Sequence, residues 1–293
     1  MYYALLATSI AVATLGGALK NSFSKSHLQT ESDCMLFNAI CSVFALVFVF
    51  ALSPVWSLPS VYTLLLGGAY GVATALGQHF STRALQTGPM AFSSLFSSFA
   101  LVIPTLGGLL IWRESISPFQ LIGLVLLCAS FVLTANPKMD KGITGRWLLY
   151  CLLSFLSSGA VGLMQKFHQT SIYKDELDAF LITAFLVTAV CFLLLYGNSR
   201  QRQKIPLSFS LKSRVPLMAM VSGVGIGVCN KINLYLSGRM PGAVFFPLVN
   251  GGGVVCAVLV AILFFRERPR RPQMIGLALG VAAILLVSNL LGA

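Results

Sequence analysis

Leu110-Ile111-Trp112-Arg113-Glu114, followed by Gln120-Leu121-Ile122-Gly123, decides how this chain is read, because it returns as Leu263-Phe264-Phe265-Arg266-Glu267 and Gln273-Met274-Ile275-Gly276. The offset is 153 residues, and residues 92–136 laid on 245–289 agree at 15 of 45 positions without a gap, from Phe92 with Phe245 to Asn136 with Asn289. Self-similarity at a fixed offset marks a repeated structural unit and constrains the architecture before any other signal. The chain therefore reads as two copies of one unit, residues 1–142 and 143–293.

Outward from that stretch the chain is apolar almost throughout. It is 57% hydrophobic and only 10% charged, with a mean hydropathy of +0.85, where a soluble globular chain carries roughly 25% charged residues. Ten stretches meet the length of about 20 residues that a bilayer crossing requires: 3–20, 35–53, 61–83, 91–112, 118–136, 147–166, 179–197, 215–236, 243–265 and 272–291. The runs are continuous, whereas the strands of a membrane barrel alternate every second residue. The expected fold is an all-α membrane protein with ten transmembrane helices. The first stretch lacks a basic leading region and an A-x-A-like site, so it reads as a retained helix. The connectors near 137–146, 167–178 and 198–214 are too short to hold a soluble domain, which confines any activity to the bundle.

Five spans per copy is an odd number, so the second copy enters the membrane with the opposite polarity and the repeat is inverted. Inverted repeats offer two near-equivalent packings, one open to each side, which is the structural basis of alternating access in transporters. Fifteen lysines and arginines fall on the face that receives the connectors after spans 1, 3, 5, 7 and 9, against four or five on the other. The positive-inside rule makes the richer face cytoplasmic, in a multi-pass protein of the plasma (inner) membrane with both termini on the non-cytoplasmic side. The net charge of +12 is thereby a loop property and no sign of nucleic acid. The seven cysteines have no metal-type spacing and read as small packing residues.

Polar groups within the hydrocarbon are costly and mark sites by default. In span three, Tyr70, Thr74, Gln78 and Ser81 recur at three- and four-residue spacing on one helical face, with His79 and Arg83 alongside. In span eight, Asn230 and Asn233 form a similar face beside Lys231 and Tyr235. Span four opens with Ser93, Ser94, Ser97 and Ser98, and its repeat partner, span nine, carries Pro247, Asn250 and Gly251-Gly252-Gly253. That proline and glycine triplet either weaken the helix and free carbonyls for a ligand or let another helix approach closely. Asn250 is the sharper candidate, because its amide both donates and accepts. Spans one and six end in Lys20 and in Gln165-Lys166-Phe167-His168. Lysines there are expected to snorkel to the headgroups, while Lys231, further in, is a candidate ligand for an anionic group. The expected substrate-binding set is Tyr70, Thr74, Gln78, Ser94, Ser97, Gln165, Asn230, Lys231, Asn233 and Asn250.

All eight carboxylates fall in loops or at span ends. Glu114 and Glu267, beside Arg113 and Arg266, are expected to be solvated at the membrane boundary, and Gly123 and Gly276 to permit close helix contact. With no intramembrane acid, the chain suits a neutral, zwitterionic or anionic solute better than an organic cation. A lone histidine such as His79 or His168 is more often a packed polar residue than a proton relay. No H-E-x-x-H, G-x-S-x-G or nucleotide-binding G-x-x-x-x-G-K-[ST] occurs, so neither catalysis nor direct ATP drive is expected. Nor is any cofactor or metal expected. The expected partners are a small-molecule substrate and the lipid bilayer.

Two five-helix halves, each ending its fourth span in a Leu-rich run, then Arg-Glu and Gln-x-Ile-Gly, resemble the drug/metabolite transporter superfamily, EamA-like branch. The resemblance covers essentially the whole chain. It implies a central cavity lined by spans 1, 3, 4, 6, 8 and 9, spans 5 and 10 at the periphery, and a secondary transporter, exporter or exchanger, for a small metabolite such as an amino acid. Within the same fold it leaves open a nucleotide-sugar or sugar-phosphate exchanger. A non-transporting membrane scaffold or sensor is the rival from another class, although it would have no use for polar stripes in the bilayer.

Overall fold

The computed structural model describes residues 1–27, 30–53, 58–88, 90–134, 144–203, 215–263 and 271–288. Among these every regular element is helical: α1 (Tyr2–His27), α2 (Glu31–Ala51), α3 (Val61–Thr87), α4 (Met90–Phe99), α5 (Val102–Leu110), α6 (Pro118–Thr134), α7 (Gly145–Thr170), α8 (Leu177–Gln203), α9 (Val215–Ser237), α10 (Gly242–Leu263) and α11 (Arg271–Val287), with a 3-10 turn at Lys174–Glu176 before α8. Six of them, α1, α2, α7, α8 with its leading turn, α9 and α10, are long and apolar enough to cross a membrane. The apolar helices α6 and α11 have 17 residues each, and α3 is diluted by its glycines, tyrosines and Gln78. Large apolar side chains such as Leu65, Leu110, Val125 and Leu194 lie exposed on the helices, as lipid contact requires. The chain is a multi-pass membrane protein.

Several helix starts are written locally. Thr30 Oγ1 accepts from the Asp33 amide and Asp33 Oδ2 from the Thr30 amide, both at 3.1 Å, a reciprocal capping box for α2. Ser117 and Gln120 repeat the device at α6, with Gln120 Oε1 2.9 Å from the Ser117 amide, and Pro118 takes the first helical position, where its missing N–H has no intrahelical partner to lose. The glutamine of the Gln-x-Ile-Gly motif is thereby a helix-capping residue.

Residues 91–112, expected as one span, are two helices with a break at Ala100 and Leu101. Pro104 supplies the reason: it has no N–H to offer the Ala100 carbonyl, and its ring crowds that oxygen. Ala100 O accepts instead from the Ile103 amide, and Ser97 O from the Ala100 amide, both at 3.3 Å and at 3-10 spacing. Helix α10 runs unbroken through Pro247 and the glycine triplet, against the weakened-helix alternative, because Pro247 opposes only Ala243 in the first turn. A Cβ on Gly251 would lie 2.6 Å from Leu127 Cδ1, so there the close-packing alternative holds.

The described helices form two compact units, each built from two separate stretches of the chain. The first comprises Met1–Ala75 and His168–Tyr235, the second Leu76–Phe167 and Leu236–Ala293. In the first, α2 and α8 run antiparallel: Ser32 bonds Ser199, Ala39 packs with Phe192, and Ser53 bonds Asp178. In the second, α6 and α11 run antiparallel, Gly123 lying against Ala283 and Val287 while Ser130 Oγ donates to Gly276 O at 2.7 Å. Gly123 and Gly276 therefore do sit at a close helix crossing, as their lack of a side chain predicts.

Candidate functional site

In the first unit α3 and α8 approach so closely that a Cβ on Gly71 would lie 2.5 Å from Ala184 O, and Thr188 Oγ1 donates to Gly71 O at 3.2 Å. This contact sets Tyr70, about 13 Å into α3 at 1.5 Å per residue, against α8, where the Phe180 ring meets its ring edge-on at 5.3 Å between centroids. The Tyr70 hydroxyl donates to Asn230 Oδ1 at 2.7 Å, and Asn230 Nδ2 donates to Ile226 O in its own helix. The next residue of α9, Lys231, places Nζ 2.7 Å from Asp178 Oδ1 in the first turn of α8, and Ser53 Oγ donates to Asp178 Oδ2 at 3.3 Å. One turn of α9 further on, Asn233 Oδ1 accepts from Ser9 Oγ at 2.7 Å. Thr74 Oγ1, one turn along α3 from Tyr70, is buried with no hydrogen-bond partner, a group for which a solute hydroxyl would complete the pairing.

Five of the ten expected site residues thus belong to this unit, and Tyr70, Asn230 and Lys231 meet at one corner of α3, α8 and α9. Lys231 is paired with Asp178, which removes the free cation that an anion-binding reading needs. His168, fully buried in the same unit, lies in a hydrogen-bonded cluster. Gln169 Nε2 donates to Lys174 O at 3.1 Å, which identifies that end of the amide as nitrogen; the same atom lies 3.2 Å from His168 Nδ1, which must accept. His168 Nε2 then carries the proton and donates to Thr63 Oγ1 at 3.2 Å, which lies 3.0 Å from Ser60 Oγ, and Glu176 Oε2 accepts from the Ser60 amide at 2.9 Å. This imidazole is a packed, fully engaged group, as a lone histidine is expected to be.

The other five lie in the second unit. Ser97 Oγ donates to Ser93 O at 3.3 Å and lies 3.4 Å from Ser81 Oγ. Asn250 Nδ2 donates to Phe246 O in its own helix at 2.9 Å. Gln165 is buried and its carbonyl accepts from Ser237 Oγ, while Gln78 is exposed. The Ser94 side chain lies outside the described residues, as do those of Lys20, Arg266, Glu267 and Asn289.

Two expectations fail in this unit. Lys166 does not snorkel and Glu114 is not solvated. Nζ of the one lies 2.7 Å from Oε1 of the other, with 5% and 15% of the side-chain surface left exposed. Lys166 also donates to Met240 O at 2.9 Å and lies 5.9 Å from the Trp112 ring centroid. Glu114 Oε2 accepts from the Ala243 amide at 3.2 Å, at the end of α10 where free N–H groups and the helix dipole favour a negative charge. Arg113, with φ of 50°, turns the chain between Trp112 and Glu114 and is the one non-glycine with positive φ among the described residues. Burial is favoured because every charge finds a partner, which no pairing of neighbours in sequence reveals. Ser9, Ser53, Asp178 and Glu114 were missed for that reason: each is ordinary locally and acquires its role from a distant helix.

The family model described as sugar transport protein matches residues 3–293. Among matching solved structures, one crystal structure superposes with a TM-score of 0.77 over 99% of this chain and 98% of its own, at 14% identity, a likeness of fold. No curated protein matches the chain.

Proposed function

The chain belongs to the sugar transport protein family, and from that premise we propose that it is a secondary transporter moving a small polar solute, a neutral hydroxyl-rich compound first, bound at Tyr70, Thr74, Asn230 and Asn233 beside the Lys231–Asp178 pair. The observation that carries this reading is the Tyr70–Asn230 hydrogen bond beside the Lys231–Asp178 pair: a concentration of donors and acceptors at membrane depth with its charges cancelled. Amides and hydroxyls that both donate and accept match sugar hydroxyls. An amino acid or related zwitterion is the second reading, because adjacent ammonium and carboxylate groups complement its two charges. A nucleotide-sugar or sugar-phosphate exchanger would need uncompensated cations, and Lys231 is compensated.

The wider scheme is ten spans in two inverted five-helix repeats of the EamA-like drug/metabolite transporter type, working by alternating access in the plasma membrane with both termini outside. The antiparallel pairing of corresponding helices, α2 with α8 and α6 with α11, supports the inverted relation. Thermal unfolding of the purified protein against neutral sugars, amino acids, sugar phosphates, nucleotide sugars and quaternary amines tests the reading, since a ligand of the folded state raises its stability. A saturable shift with a neutral sugar, lost in Tyr70→Phe and Asn230→Leu, is expected, with saturable uptake into proteoliposomes. A shift from quaternary amines alone would falsify it.

A further inference from the structure

We propose that Asp178 and Lys231 together set the charge selectivity of the substrate site, each cancelling the other so that uncharged solutes are preferred over anions and cations. This rests on the site assignment above. Lys231 follows Asn230 directly, and Asn230 holds the Tyr70 hydroxyl. Asp178 comes from the first turn of α8 and reaches Lys231 at 2.7 Å. The lysine end of the ion pair is thus tied by its own helix to this polar corner, and the carboxylate is held beside it by that contact.

An acid in the first turn of a helix is ordinary by itself, since the helix dipole favours it. Here both oxygens are committed: Oδ1 lies 2.7 Å from Lys231 Nζ and Oδ2 accepts from Ser53 Oγ. The pair is also not sealed, with 32% of the Lys231 side chain and 18% of the Asp178 side chain exposed, so its net charge is felt by a solute beside it. Cancelled, it presents no reason to attract either sign. With one partner removed, a full charge of the opposite sign stands at the site, where attraction is far stronger than in bulk water. Selectivity of this kind is a difference of affinities produced by what the site rejects as much as by what it holds.

The test uses the full-length protein and three probes of one shape: glucose, glucuronate and glucosamine at a pH where its amine is charged. Saturable binding and uptake are measured for each, with folding checked by size-exclusion profile. Wild type is expected to prefer glucose over both charged probes. Asp178→Asn, which leaves Lys231 unpaired, is expected to gain glucuronate affinity tenfold or more relative to glucose, and Lys231→Gln to gain glucosamine by a similar factor. The double variant Asp178→Asn with Lys231→Gln carries no unpaired charge and is expected to recover the preference for glucose. A purely structural role would lower stability in the single variants without reversing the sign of the preference.

Singles that keep glucose uptake but show an unmoved charge preference would overturn this proposal while leaving the transporter reading intact. Where a single variant does not fold, the double decides: retained glucose preference supports cancellation, and loss of glucose binding by a folded double overturns it. Absence of saturable interaction of wild type with any probe overturns the site assignment and this proposal with it.

Discussion

The two lysine–carboxylate pairs have the same length, 2.7 Å, in opposite surroundings. Lys166 and Glu114 are nearly sealed and tied further to Met240 O and the Ala243 amide, so the pair joins the end of α7, the segment after α5 and the start of α10. Lys231 and Asp178 remain partly exposed, with Ser53 as a further partner of the carboxylate. Burial makes an ion pair intolerant of losing one member, because the survivor keeps its desolvation cost without its compensation. Partial exposure lessens that penalty and leaves the pair's charges legible to a solute. One pair belongs to the scaffold, the other to recognition.

The largest expected effect breaks the sealed pair. Lys166→Met alone is expected to lower unfolding stability by about 3–5 kcal/mol, and adding Glu114→Leu to recover most of it; denaturation in detergent reads this out, and a single variant as stable as wild type would erase the distinction between the pairs. Glu114→Gln sharpens the same contrast, since an amide oxygen still accepts from Ala243 while the charge is gone. The amide nitrogen then faces Lys166 Nζ and the lysine charge stays buried without compensation, so the expected cost is again about 3–5 kcal/mol. Lys231→Met should cost least of the three, about 1–3 kcal/mol for the partly buried carboxylate it leaves unpaired, while solute selectivity moves. A large, salt-insensitive loss there would place the second pair with the first.

Helix content and position were legible because length and hydropathy act locally. Gly123 and Gly276 could be read as contact points because a missing side chain has one common use in a crowded helix pair. The break at Ala100 was written in the sequence, in Pro104, and was not read there; of the two alternatives left open for Pro247 and the glycine triplet, a weakened helix fails because a proline one turn into a helix deprives only the first turn. Tyr70, Asn230 and Lys231 were legible as polar groups in an apolar run. Their partners were not, because Asp178 and Glu114 look like ordinary helix-end acids until distant helices bring them to Lys231 and Lys166. A periodicity can report which face is polar, and it carries no information about which charge on another helix will meet it.

The interleaving of the two compact units has a consequence for biogenesis. Helix α2 packs against α8, which begins about 125 residues later, so at the 5–20 residues per second of translation it waits on the order of ten seconds for its partner. The first unit is incomplete until residue 235 has been made, and the second until the chain is nearly finished. A nascent chain arrested after α6 therefore holds six helices and neither finished unit, and should be a client for the membrane's quality-control proteases rather than a stable half-protein.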